Sequence, residues 1–130
     1  MTNERRRKRS EMVQEAASLY LEAVAERSRI KAMALASEDG LLVAGAGRGY
    51  DHEWLAALGV TGAGEKARLG DVIEEVTGGE GLVSFDISVH GRRLTLSAVG
   101  AKRPAEDASI ALGRIFAPLF VEGPSEVATS

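Results

Sequence analysis

Several clusters in this 130-residue chain have residue types suited to chemistry. The first is "LLVAGAGRGYDHEW", Leu41 to Trp54, where clustered glycines separate an apolar run from a helix-like segment. A phosphate-cradling loop uses that order, because a helix N-terminus offers free backbone N–H groups to an anion. A dinucleotide fingerprint, however, needs a third glycine five positions after the first, and with Gly45 and Gly47 as the first two, Tyr50 occupies that place. The apolar run also reads as the return strand of a hairpin, not the opening strand of a βαβ unit. The second cluster, "GVTGAGEKA", sets Gly59 and Gly64 at the spacing of a nucleotide-binding P-loop. Glu65 stands where that loop needs lysine, and Lys66 is followed by Ala67 rather than a hydroxyl residue. A phosphate would meet a carboxylate, so the segment reads as a connection.

Metal and nucleophile chemistry are equally poorly supplied. His52 and His90 are the two histidines, and the neighbours Asp51, His52 and Glu53 do not converge on one ion as zinc ligands must. Acids at a helix start are expected in any case, since they complement its positive end. No cysteine is present and no nucleophile-elbow motif occurs. The expectation is a protein without enzymatic activity, with no catalytic residue, cofactor or metal to name.

The composition, 45% hydrophobic with 5% aromatic residues and 15 glycines, suits one domain whose core is built from small and aliphatic side chains. The longest apolar run, Ile115 to Val121, is far short of the roughly 20 residues that span a bilayer. Glu11, Glu15, Glu22 and Glu26 interrupt what a signal peptide would keep apolar. Together with the lack of cysteine, this points to the cytoplasm. The net charge of −3 conceals an asymmetry: without residues 1–9 the chain has 11 basic and 18 acidic residues, or −7. Arg5, Arg6, Arg7, Lys8 and Arg9 therefore form a basic arm on an acidic body, read as a disordered leader over residues 1–9. Nucleic acid or anionic membrane, if bound at all, would be bound by that arm.

From Ser10, the residues Met12, Ala16, Leu19, Tyr20 and Ala23 recur at helical spacing and predict an amphipathic helix. Ile30 to Ser37 and Leu41 to Ala46 predict a hairpin turning at Asp39-Gly40, pairing Leu35 with Ala44, Met33 with Ala46 and Ala36 with Val43. Both of its faces are apolar, so it belongs inside a covered sheet. A second hairpin turns at His90-Gly91 and pairs Ile87 with Leu94, Phe85 with Leu96 and Val83 with Ala98, all on one apolar face. Its other face carries Ser84, Asp86, Ser88, Arg93, Thr95 and Ser97. Of these, Ser84, Asp86, Ser88, Thr95 and Ser97 are candidate ligand contacts. Two short helices, Asp51 to Leu58 and Glu65 to Val76, are predicted between the hairpins, and Trp54, Leu55 and Leu58 on the first form a stripe suited to core or interface. Pro104 fits the first position of a final helix with the stripe Ala108, Leu112, Ile115, Phe116 and Leu119, which Pro118 should kink or end. Residues 121–130 read as a disordered tail. The fold class is α+β: an antiparallel sheet of about five strands, with N- and C-terminal helices on one face and a helical connection on the other.

This element order, with "IKAMALASEDGLLVAGAG" (Ile30 to Gly47) and the later "LTLSAVG" and "ALGRI", resembles the Roadblock, or dynein light chain, family, including its bacterial members. The resemblance covers residues 10–120 and implies a Roadblock/profilin-like fold and a non-enzymatic homodimer. Such a protein would act as a scaffold or regulator of a small Ras-like GTPase or of a polarity or motility complex. That family usually has one long central helix, whereas residues 59–64 here are glycine-rich, so a split helix is expected. Sensor domains of the GAF type offer an alternative, in which the polar face of the second hairpin floors a ligand pocket and the connection forms its lid.

Overall fold

The computed structural model describes residues 2–61, 68–100 and 107–129. Its elements are α1 (Thr2–Ser28), β1 (Ala32–Ala36), β2 (Leu42–Ala46), α2 (His52–Gly59), α3 (Gly70–Thr77), β3 (Leu82–Val89), β4 (Arg92–Val99) and α4 (Ala108–Thr129). The strands form one antiparallel sheet in the order β2-β1-β4-β3. Four strands are present among the described residues where about five were expected, because the described parts of the connection between the hairpins are mostly helical.

Between Thr2 and Ser28 there is no glycine or proline to interrupt α1, and its Arg, Glu, Ala and Leu residues favour helix. The helix therefore starts well before Ser10, and the five basic residues lie on its early turns rather than in a disordered leader. The buried stripe is also displaced from the predicted one. Val13, Ala17, Leu21 and Val24 face the sheet, while Met12 and Leu19 are 68% and 58% exposed. Both sets recur at three- and four-residue spacing, so periodicity alone could not choose between them. Arg29, at φ 57°, ends the helix: Ile30 N–H donates to Ala25 O at 2.8 Å, closing the left-handed cap.

The first hairpin has a three-residue loop, Glu38-Asp39-Gly40, in place of the two-residue turn expected. Ser37 N–H donates to Leu41 O at 2.9 Å, and Gly40 takes the positive φ of 82° that such a loop requires. The extra loop residue shifts the register, so Ala36 pairs with Leu42 rather than Val43. A bulge then restores it, and Leu35 meets Ala44 and Met33 meets Ala46 as predicted. The second hairpin has the predicted register throughout, with His90 and Gly91 at φ 51° and 75°. His90 Nε2–H donates to Gly113 O at 2.6 Å, tying the hairpin tip to α4.

The sheet separates two apolar clusters. Met33, Leu35, Leu96, Ala98 and the half-buried Phe85 pack with Val13, Ala17 and Leu21 of α1 and Leu112 and Phe116 of α4. On the opposite face Ala32, Ala34, Ala36 and Val99 pack with Leu55 and Ala56 of α2. Strand β1 is buried throughout because it contributes to both clusters.

Helix α4 buries Ala108, Leu112 and Phe116, with Ile115 half-buried and Leu119 at the exposed border. It continues past Pro118 to Thr129, through the segment expected to be a disordered tail. Pro118 and Arg114 are both exposed, so the proline falls on the outer side of the helix rather than on its buried stripe. The predicted helix start at Pro104 lies outside the described residues. Tyr20 Oη–H donates to Asp107 Oδ1 at 2.9 Å and joins α1 to α4. Burial, then the hydrogen bond to Asp107, push the Tyr20 phenol up to about 12.

Candidate interaction edge and polar pocket

The glycine cluster is a packing device. A Cβ on Gly45 would lie 2.7 Å from the His52 ring, so the missing side chain is what lets α2 begin against β2. His52 Nε2–H donates to Gly47 O at 2.7 Å, which assigns the proton to that nitrogen. Gly47 has φ +100°, and a Cβ there would meet Lys31 O at 2.4 Å. The histidine is thus used in fastening a strand end to a helix. Asp51 caps α2, its carboxylate accepting from Trp54 N–H at 3.2 Å. Of the stripe read from sequence as core or interface, Leu55 and Leu58 lie in the core, while Trp54 is 51% exposed. Helix geometry separates them, since adjacent side chains diverge by about 100°.

Strand β3 lies at the sheet margin, and among the described residues no strand pairs with its outer edge. It is eight residues long, and Val83, Phe85 and Ile87 on its apolar face remain only half-buried. A long edge of this kind is a template for strand addition.

On the opposite face, α2 ends before it covers β3 and leaves an open cavity of about 570 Å³. Ser84, Asp86 and Thr95 line it together with Arg93, Glu38, Val60 and Thr61. Asp86 is held on both sides: Arg93 Nε–H donates to Oδ2 at 3.1 Å, and Thr95 Oγ1–H donates to Oδ1 at 3.2 Å. Glu38 and Asp86 against Arg93 leave this lining with one excess negative charge. Two of the predicted contacts do not line it. Ser88 lies toward the hairpin tip, and its carbonyl accepts from Ser109 Oγ at 2.6 Å. Ser97 is fully buried beneath Gly59, and its hydroxyl has no hydrogen-bond partner. Glu38 and Thr61 had no signal in the sequence, since they reach the cavity from the first hairpin loop and from just beyond α2.

No family model matches the chain, and no curated protein matches it. A solved structure, Myxococcus xanthus MglB, is similar, with a TM-score of 0.51 at 19% identity, covering 81% of this chain and 90% of that one. The fold is of the Roadblock type. Within this Roadblock-type fold the described central helices α2 and α3 are separate elements, as the glycine-rich segment predicted. Among the described residues no helix is long and apolar enough to cross a membrane, and no three His, Asp or Glu side chains form a cluster that could hold a metal ion. Arg7 and Lys8 are exposed on α1 ahead of Val13.

Proposed function

We propose that this chain is a non-enzymatic, homodimeric scaffold or regulator that acts on a small Ras-like GTPase or within a polarity or motility complex. The observation that carries the reading is the Roadblock-type fold shared with MglB. The open edge of β3 supports the dimer: a second copy adding its own β3 would satisfy the unpaired backbone and cover Val83, Phe85 and Ile87. Trp54 is an exposed aromatic on α2, on the other face, and its residue type is enriched at binding hot spots. The test combines light scattering at micromolar concentration with nucleotide-hydrolysis and exchange rates of small GTPases encoded in the same genome. A dimer that changes one of those rates is expected, and a monomer with no effect on any of them refutes the proposal. Contact with nucleic acid or anionic membrane would rest on Arg5 to Arg9 alone, against the −7 charge of the remaining chain.

A second reading, a small-ligand sensor, is favoured by the cavity over Ser84, Asp86 and Thr95. Its excess carboxylate suits a polar ligand with a cationic group. Such a ligand raises the melting temperature of the wild type and not of Asp86→Ala. A library of amines and nucleotides that leaves the wild type unshifted removes this reading.

A further inference from the structure

Helix α1 presents two seams. One, through Val13, Ala17, Leu21 and Val24, is buried on the sheet. The other runs through Arg9, Met12, Ala16, Leu19, Ala23 and Glu26, at alternating steps of three and four residues. That is the spacing of a coiled-coil seam carried over about two and a half heptads. It faces outward: Met12 and Leu19 are the two large exposed apolar residues of the helix. Ala23 and Glu26 are also exposed, while Arg9 and Ala16 are half-buried. No hydrophobic residue of this seam belongs to the core cluster, so the core does not explain why its centre is apolar.

The order along the seam is basic, large apolar, small, large apolar, small, acidic. Reversed, it complements itself. In an antiparallel pair of such helices whose facing positions sum to 35, Arg9 meets Glu26 of the second copy, Met12 meets Ala23 and Ala16 meets Leu19. Each large side chain faces a small one, and each end brings opposite charges together. The parallel arrangement instead stacks Arg9 on Arg9 and Glu26 on Glu26.

We propose that the outer face of α1 docks the same face of a second copy of this chain, as an antiparallel two-helix contact separate from the β3 edge. The contact is isologous, so every favourable pair occurs twice. An anionic membrane fits this face less well, because Glu11, Glu15, Glu22 and Glu26 are exposed along the helix and oppose the attraction of the basic residues gathered on its first turns. A seam of this length buries less than the roughly 1,200 Å² of a standard interface, so it acts as a weak contact added to another. Because a chain with two isologous faces can grow beyond a dimer, α1 would set whether β3-paired dimers associate further.

Sedimentation velocity over a concentration series tests this with wild type, Leu19→Glu, Arg9→Glu, Glu26→Arg and the double reversal Arg9→Glu with Glu26→Arg. Leu19 is exposed, so circular dichroism should confirm that its variant folds. The wild type is expected to associate in two steps, and Leu19→Glu should stop at the first. Each single reversal should weaken the second step about tenfold, because it makes two like-charge contacts, and the double reversal should restore it. Unaltered association in Leu19→Glu overturns the proposal, as does a double reversal no better than the singles. So does a wild type that shows no second step and pellets with phosphatidylserine vesicles. If β3 does not pair, the wild type shows one step only and Leu19→Glu is monomeric, which separates failure of the earlier reading from failure of this one.

Discussion

Replacing Gly59 with alanine tests how α2 is seated on the sheet. A Cβ at this position would lie 1.8 Å from Ser97 Oγ, 3.1 Å from Ser97 Cβ and 3.7 Å from Thr95 Cγ2. The first distance is about half an ordinary contact, and Ser97 is fully buried in a central strand. Overpacking of this kind costs about 1–3 kcal/mol. Exchanging a helical glycine for alanine returns up to about 1 kcal/mol, so the net loss should be about 1–2 kcal/mol. Ser97→Ala works in the other direction. Its hydroxyl is buried without a partner, a condition that costs about 1–3 kcal/mol, so deleting the oxygen should raise stability by about 1 kcal/mol. With both changes the worst clash is gone and the remaining Cβ approach of 3.1 Å needs only a small shift. Urea unfolding of the two single variants, the double variant and the wild type should yield a favourable coupling of about 1–2 kcal/mol. The double variant should be at least as stable as the wild type. If Gly59→Ala stabilises the protein and its effect does not depend on residue 97, α2 is not seated as described and the cavity beside it loses its wall.

Gly47→Ala should cost about 2–4 kcal/mol, because a positive φ and a Cβ 2.4 Å from Lys31 O act together. Gly49→Ala, with φ +85° but nothing within 4 Å, should cost about 1 kcal/mol, and equal melting temperatures for the two variants would contradict this difference. Tyr20→Phe should lose about 1 kcal/mol near neutral pH with the hydrogen bond to Asp107. The folded phenol titrates at about 12, above its unfolded value near 10, so its linkage contribution is complete below about pH 10 and is lost between 10 and 12. Urea midpoints across that interval should therefore fall less steeply for Tyr20→Phe than for wild type. Deleting residues 1–9 should change the unfolding free energy by less than about 0.5 kcal/mol, since Val13 is the first core residue among the α1 positions whose burial is described, and calorimetry of the shortened chain measures it.

The parts of the fold legible in the sequence were those set by neighbouring residues. His90-Gly91 admits the paired positive φ angles of a tight turn, and that turn placed Phe85 opposite Leu96 and every other pair of the second hairpin. The apolar character of both faces of β1 likewise announced a strand covered on each side. At the site, Ser84, Asp86 and Thr95 were visible as one polar face because strand side chains alternate. That Ser88 and Ser97 lie away from the cavity could not come from that alternation. Whether a polar side chain on one strand face meets solvent, a cavity or a helix depends on where α2 stops, and Gly59 decides that by touching Ser97.

Sequence by itself determined the element order, the hairpin cores and the charge asymmetry, because each follows from local conformational preference and spacing. Only the tertiary structure decided which of two adjacent seams of α1 would be buried. Val13, Ala17 and Leu21 are no more helical in spacing than Met12, Ala16 and Leu19, and the choice belongs to the sheet and α4 packed against them. It likewise brought Glu38 and Thr61 beside Asp86, since residues distant in the chain share a cavity only once the packing of helices on the sheet has set the distances between them.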